Sequence, residues 1–295
     1  MKYLKKNAWY RKTRELGKAI RTNSFLKNTP TRKLRKYLAR QFQQFLFKRK
    51  LNKATPIFVC QMGKVGSRSI VDSLEKYYPG VVLHGHLVRK MDWQAQYILE
   101  WVHHGNPLKI ISPVRDPISR NISAFFHFIE GRIGHASDRS NLPITKLVEL
   151  FISNDSTNED DNNKAMMAHN LPLDWFDNNI KNHFGIDVFS TPFPSSKFAT
   201  YSYNNTELLV LRIDIADKKK EELIQNFIDF PSFKLKNTNI GASKGYSSKY
   251  KEFKNNAKLP EDYLDKMCKS KYFSHFYTDV EINTIRNQWN NKTGK

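Results

Sequence analysis

Residues 56–78 read PIFVCQMGKVGSRSIVDSLEKYY. The apolar run from Ile57 to Cys60 has the composition of a short strand buried on both faces. From Ser69 onward the apolar positions recur at helical spacing, and Pro79 ends the run. The intervening MGKVGSRS is therefore a Gly-containing turn at the start of a helix. Such a turn presents unpaired backbone N–H groups and the positive end of the helix dipole to an anion. Gly66 permits close backbone approach, Ser67 and Ser69 add hydroxyl donors, and Lys64 adds a point charge. The order departs from the Walker pattern G-x-x-x-x-G-K-[ST], because Lys64 precedes the loop glycine. An ordinary strand-to-helix turn has the same outline, so the surrounding sequence must decide.

Downstream, VVLHGH (residues 81–86), LKIISPV (108–114) and ELLVLRI (207–213) read as further strands. Helical patterns fall near residues 92–104, 117–129, 144–153, 173–184, 219–230, 260–270 and 279–289. Strands alternating with helices predict an α/β domain whose central, mainly parallel sheet is flanked by helices on both faces. There is no internal repeat, and the acidic, Asn-rich stretch 153–164 reads as a solvated loop.

The formal charge of +21 suggests nucleic acid until it is located. Residues 1–53 hold eighteen Lys or Arg and a single acid, Glu15, so this segment carries about +17 of the total. The chain divides into a basic helical N-terminal arm, 1–53, and an α/β domain, 54–295. Within the arm, Leu34, Tyr37, Leu38, Phe42, Phe45 and Leu46 recur in steps of three and four among basic residues. Such a helix either packs on the body with its basic face in water or lies on an anionic membrane surface. No base-reading module accompanies it, so nucleic acid is not the expected partner. No stretch reaches the roughly 20 apolar residues of a membrane span, and the N-terminus lacks the apolar core of a secretory signal. Two cysteines, Cys60 and Cys268, make no disulfide framework. The expectation is a cytoplasmic protein, peripheral at the inner face of the membrane if the arm binds lipid.

SPVRDPISRNISAFF (residues 112–126) follows the third strand directly. Asp116 suits an N-cap and Pro117 a first helical residue, which places Arg115 at the C-terminal edge of the sheet, where doubly wound folds bind ligands. An arginine and a serine such as Ser123 around a helix start can grip a phosphate through charge-assisted hydrogen bonds. The plainer alternative is that Arg115 pairs with a nearby acid. Between the two motifs, alternation puts His84 and His86 on one side of an extended chain with only Gly85 between them. As metal ligands the pair lacks a third residue of suggestive spacing, and no metal site is expected. His103 and His104 end a helix, and the remaining histidines have no motif around them.

A lysine-bearing phosphate loop followed by R-D-P-x-x-R-x-x-S-x-F after a later strand resembles the sulfotransferase superfamily, whose donor is 3′-phosphoadenosine 5′-phosphosulfate (PAPS). The resemblance implies a three-layer P-loop-like fold. It implies Lys64, Val65, Gly66, Ser67, Arg68 and Ser69 at the 5′-phosphosulfate and Arg115 with Ser123 at the 3′-phosphate. Arg68 stands where many members have threonine. LHGHL is similar to the His-Gly-His segment of uronosyl 2-O-sulfotransferases, which implies His86 as general base and His84 as an orienting or substrate-binding group; sequence does not settle which takes the proton. NIGASKGYSSKYKEF (239–253) resembles the Asn-Lys-Trp-Tyr-Ser segment of the bacterial NKWYS-type capsular polysaccharide synthesis proteins, with Ser243 and Gly245 replacing the asparagine and tryptophan. By that analogy Lys244 and Tyr246 close over the nucleotide.

These resemblances imply a PAPS-dependent transferase acting on a carbohydrate hydroxyl, of a surface or capsular polysaccharide or a glycolipid, with no metal required. A P-loop kinase or other nucleotide-dependent phosphotransferase is the alternative, and a non-enzymatic scaffold carried by its basic arm is a third reading.

Overall fold

The computed structural model describes residues 32–88, 93–128, 142–153, 165–236 and 247–290. Strand β1 (Ile57–Cys60) is buried throughout, and its side chains divide by alternation. Phe58 and Cys60 enter the larger of two apolar cores, Ile57 and Val59 the smaller one on the opposite face. β1 pairs in parallel with β2 (Val82–Gly85) on one side and β3 (Leu108–Val114) on the other. β3 pairs in parallel with β5 (Thr206–Arg212), and β4 (Phe198–Tyr203) runs antiparallel on the outer edge. The result is a five-stranded, mostly parallel sheet in the order β2-β1-β3-β5-β4.

Helix α1 (Arg32–Leu51) precedes the sheet, α2 (Ser67–Tyr77) follows β1, α3 (Trp93–His103) follows β2 and α4 (Pro117–Phe128) follows β3. α5 (Ile144–Ser153) and α6 (Leu171–Phe176) come next, the latter continuing through a π-helical turn, Asp177–Lys181, to Phe184. After β5 come α7 (Asp217–Ile228), α8 (Ser247–Asn256), α9 (Glu261–Cys268), α10 (Lys271–Phe276) and α11 (Asp279–Asn290). Ile70, Val71 and Leu74 of α2 and Ile224, Phe227 and Ile228 of α7 cover the smaller core. Apolar residues of the other helices fill the larger one. Both faces are therefore covered, which is why β1, β3 and β5 read as near-continuous apolar runs.

β4 escapes sequence reading because FATYSY has no fully buried residue and faces solvent along much of its length. α8 and α10 are also unforeseen. α10 sits within two residues of α9 and is a separate helix because Ser270 caps it, its Oγ accepting from the Phe273 amide at 3.3 Å. Of the basic arm, residues 1–31 lie outside the described residues; α1 is helical as its periodicity predicts, and Phe47 and Leu51 are buried in the larger core.

One polar clamp ties the C-terminus to the sheet. Arg212, at the end of β5, forks onto Asp214 (2.9 and 2.7 Å) and onto Glu281 (2.8 and 2.7 Å) of α11. It also donates to the Phe276 carbonyl at 3.0 Å and lies 3.9 Å from the centroid of the Tyr277 ring. The clamp holds both carboxyls down near 2, although burial opposes it.

Candidate functional site

The strand order brings the C-terminal ends of β2, β1 and β3 side by side, and each runs into a predicted motif. After β1 the chain turns through Gly63 (φ 80°), Lys64 (φ 63°) and Gly66 (φ 72°), all left-handed, before α2 begins. Lys64 tolerates a backbone angle that favours glycine, so the loop is held by something outside itself.

Two arginines from the helix start after β3 hold it. Arg120 is fully buried on α4 and donates to the carbonyls of Met62 (2.8 Å), Gly63 (3.3 Å) and Met166 (2.8 Å), with Asn121 Oδ1 at 3.1 Å. Arg115 Nη1 donates to the next carbonyl, Lys64, at 3.2 Å. Three successive loop carbonyls thus face guanidinium groups. Because a trans peptide directs its C=O and N–H oppositely, the N–H groups of Lys64 and Val65 turn away from the arginines. The Gly66 N-cap contributes no side-chain bond to the first turn of α2. Among the described residues every hydrogen-bond partner of Arg120 is a neutral oxygen, and burial pushes its pKa down to about 9. A buried cation balanced by dipoles alone leaves the loop region electropositive.

The histidine segment is held by a buried amide. Gln61 Nε2 lies 2.8 Å from His86 Nδ1 and 3.1 Å from His84 Nε2, while its Oε1 accepts from the Gly63 amide. The two rings stand edge to face, 4.9 Å apart. His86 Nδ1 is also 3.2 Å from the Gln61 carbonyl oxygen, and Ser67 Oγ lies 3.4 Å from His84 Nε2. Accepting from the Gln61 amide puts the His86 proton on Nε2; donating to the Gln61 carbonyl leaves Nε2 bare and able to accept a proton. Behind the segment, Trp175 of α6 donates to the His86 carbonyl at 2.6 Å, and Asn179 in the π-helical turn accepts from the Val88 amide at 2.9 Å. Burial pushes His86 down to about 4, with the charges of Arg120 and Lys64 adding to it and the Gln61 carbonyl opposing it. Burial also holds His84 well below the usual histidine range, helped by His86 and Arg68.

The structure therefore brings together Lys64, Gly66, Ser67, His84, His86 and Arg115 at one sheet edge. Val65 is fully buried, with its side chain in the larger core. Arg68 pairs with Asp72 one turn along α2 at 2.8 Å, and Ser69 is half-buried on the same helix. Ser123 is half-buried in the second turn of α4, and the Arg115 carbonyl accepts from Tyr272 at 2.8 Å. Among the described residues Arg115 is not paired with an acid; its partner is the loop. Asp116 caps α4 as expected, its Oδ1 accepting from Ser119 N at 2.7 Å. Lys244 and Tyr246 lie outside the described residues.

Sequence reading passes over Gln61, Arg120 and Trp175 as site-supporting residues. Gln61 carries a signal, a lone amide ending an otherwise apolar strand, and so does Arg120, a cation in a helix rich in Ile and Phe. Nothing in the sequence pairs Trp175 with residue 86. Among the described residues no group of three or more His, Cys, Asp or Glu is arranged to hold a metal ion, and no helix is long and apolar enough to cross a membrane.

No curated protein and no solved structure matches the chain. The family match falls on the C-terminal side of the sheet, taking in β4, β5 and α10, which supplies Tyr272 beneath Arg115. Residues 159–278 match the family model described as "putative capsular polysaccharide synthesis protein".

Proposed function

We propose that the protein is a sulfotransferase with a P-loop-like fold that moves the sulfuryl group of PAPS to a hydroxyl of a capsular or other surface polysaccharide. The observation that carries this reading is the 3.2 Å contact between Arg115 and the Lys64 carbonyl. It joins the two anion-binding turns into one surface, so a single nucleotide with phosphate-type groups at both ends can span them. The uncompensated charge of Arg120 beneath the loop favours a polyanion at the same place. The family match at residues 159–278 supports the polysaccharide as acceptor class.

In this reading the 5′-phosphosulfate sits on the N–H groups of residues 64–69 and the positive end of α2. Arg115 and Ser123 take the 3′-phosphate, and Lys244 and Tyr246 close over the nucleotide. The acceptor oxygen attacks sulfur in line; the new S–O bond forms as the bond to the bridging phosphate oxygen breaks. Negative charge grows on that bridging oxygen, and Lys64 neutralises it. His86, with Nδ1–H donated to the Gln61 carbonyl, takes the acceptor proton on Nε2, a contribution of ~10²–10⁴-fold. His84 orients the acceptor beside it. Lysine and backbone donors supply the charge neutralisation, so the reaction is expected to run without added metal.

Calorimetric titration tests this. 3′-Phosphoadenosine 5′-phosphate should bind without magnesium, and Arg115→Ala should weaken it far more than it weakens ATP. Equal, magnesium-dependent affinity for ATP would instead support a phosphotransferase.

A further inference from the structure

The long helix before the sheet has two faces that do different things. Phe47 and Leu51, one turn apart, are 1% and 4% exposed and seat the end of α1 on the body. Phe47 packs edge-on against Trp93 (5.3 Å) and Tyr97 (5.6 Å) of α3, and Lys48 reaches over the Tyr97 ring. At 100° per residue, Phe45 lies about 200° around the helix from Phe47. With it on the far side run Leu38 and Phe42, which are 39% and 40% exposed, as Phe45 is 58%; Tyr37, 59% exposed, lies between the two faces. Spacings of four, three and seven residues align Leu38, Phe42 and Phe45 into one stripe along the helix, with Tyr37 on its flank. An isolated exposed leucine would need no explanation; a continuous aromatic and aliphatic stripe on an anchored helix does.

Charge says what covers it. α1 carries Arg32, Lys33, Arg35, Lys36, Arg40, Lys48, Arg49 and Lys50 and no acid. Residues 1–31 add further lysines and arginines against the single Glu15. A nucleic acid or an acidic protein surface would answer the cations but leave most of the stripe in water. An anionic bilayer surface answers both, since lipid headgroups pair with the cations while the stripe sinks to the acyl boundary.

We infer that α1 is a membrane-surface helix: it lies in the plane of an anionic bilayer with Leu38, Phe42 and Phe45 toward the lipid and Tyr37 at the margin, and holds the body there through Phe47 and Leu51. The placement suits an enzyme whose acceptor is assembled at a membrane, but it rests on the helix alone and stands or falls apart from the sulfotransferase chemistry.

Flotation of the full chain with phosphatidylcholine vesicles and with phosphatidylcholine–phosphatidylglycerol vesicles, at low and high salt, tests it. The expected result is flotation with the anionic vesicles only, weakened by salt. Phe42→Ser combined with Phe45→Ser should lower that partitioning by about tenfold or more, with the thermal midpoint unchanged because both side chains already face solvent. Failure of the unaltered chain to float with anionic vesicles would overturn the inference. So would flotation of the double variant equal to that of the unaltered chain, since the other cations would then suffice. Tight binding to an oligonucleotide, or lipid-free self-association, that the double variant abolishes would assign the stripe to that occupant and equally overturn it.

Discussion

Gln61 Nε2 stands 2.8 Å from Nδ1 of His86, with its own carbonyl oxygen 3.2 Å from the same nitrogen. One buried residue thus offers the imidazole both a donor and an acceptor, and which one it uses decides whether Nε2 carries the proton. The carboxamide is locked by the Gly63 amide, so the loop that would hold the sulfuryl group is coupled to the tautomer of the proposed base.

Replacing the amide separates these roles. Gln61→Leu keeps approximate volume and the main-chain carbonyl but removes the side-chain donor that competes for Nδ1; turnover should hold or rise while nucleotide affinity changes only a few-fold. Gln61→Glu places a carboxylate beside both rings and should raise the histidine pKa values, moving the acid limb of the pH–rate profile upward. Rates measured from pH 4 to 8, with histidine ¹⁵N shifts reporting the tautomer, check both. An unchanged profile in the Glu variant would mean that the amide only packs.

Acid should act on the histidines before it acts on the clamp. Burial holds His86 near 4 against an ordinary value of 6.5, so the unfolded chain binds the proton more readily than the folded one. Stability is therefore fully present above pH 6.5 and falls as pH drops from there toward 4. Asp214 and Glu281 are held near 2 by Arg212. Their contribution is present above the ordinary carboxylate range and is lost as pH falls through it toward 2. Urea midpoints recorded against pH should show two descending stretches, and His86→Gln should flatten the upper one.

Arg120 is the support under the loop. Arg120→Met removes its bonds to Met62, Gly63 and Met166 and leaves buried carbonyls unpaired, a loss of about 2–4 kcal/mol in unfolding experiments. Because the removed charge also underlies the proposed anion site, thermal stabilisation by 3′-phosphoadenosine 5′-phosphate should shrink in the same variant. Full ligand stabilisation despite the lowered midpoint would confine Arg120 to folding.

Arg212→Met removes the group that forks onto both Asp214 and Glu281 and leaves them Lys197, at 2.8 and 3.7 Å, which should cost about 2–3 kcal/mol, toward the lower end for breaking partly buried ion pairs. The clamp lies beyond β5 rather than at the loop, so the nucleotide binding proposed for Lys64 should persist in the protein that remains folded. Calorimetric affinity measured beside the unfolding midpoint distinguishes the two effects.

How much of this the amino-acid sequence contained depends on the range of the forces involved. Apolar runs at 57–60, 108–114 and 207–213, each followed by helical spacing, marked the parallel strands, because burial on both faces leaves no room for polar residues. Asp116 and Pro117 marked the start of α4, since capping is a local bond. β4 was not marked, because an edge strand wetted along one side needs no apolar pattern. Only the tertiary structure decided that β2, β1 and β3 lie adjacent, and so that Lys64, His86 and Arg115 share an edge. The roles of Gln61, Arg120 and Trp175 were decided there too: each acts through hydrogen bonds to groups far along the chain, 25, 58 and 89 residues away. Sequence periodicity records which face of an element is dry; it holds no record of which distant carbonyl a buried donor will meet.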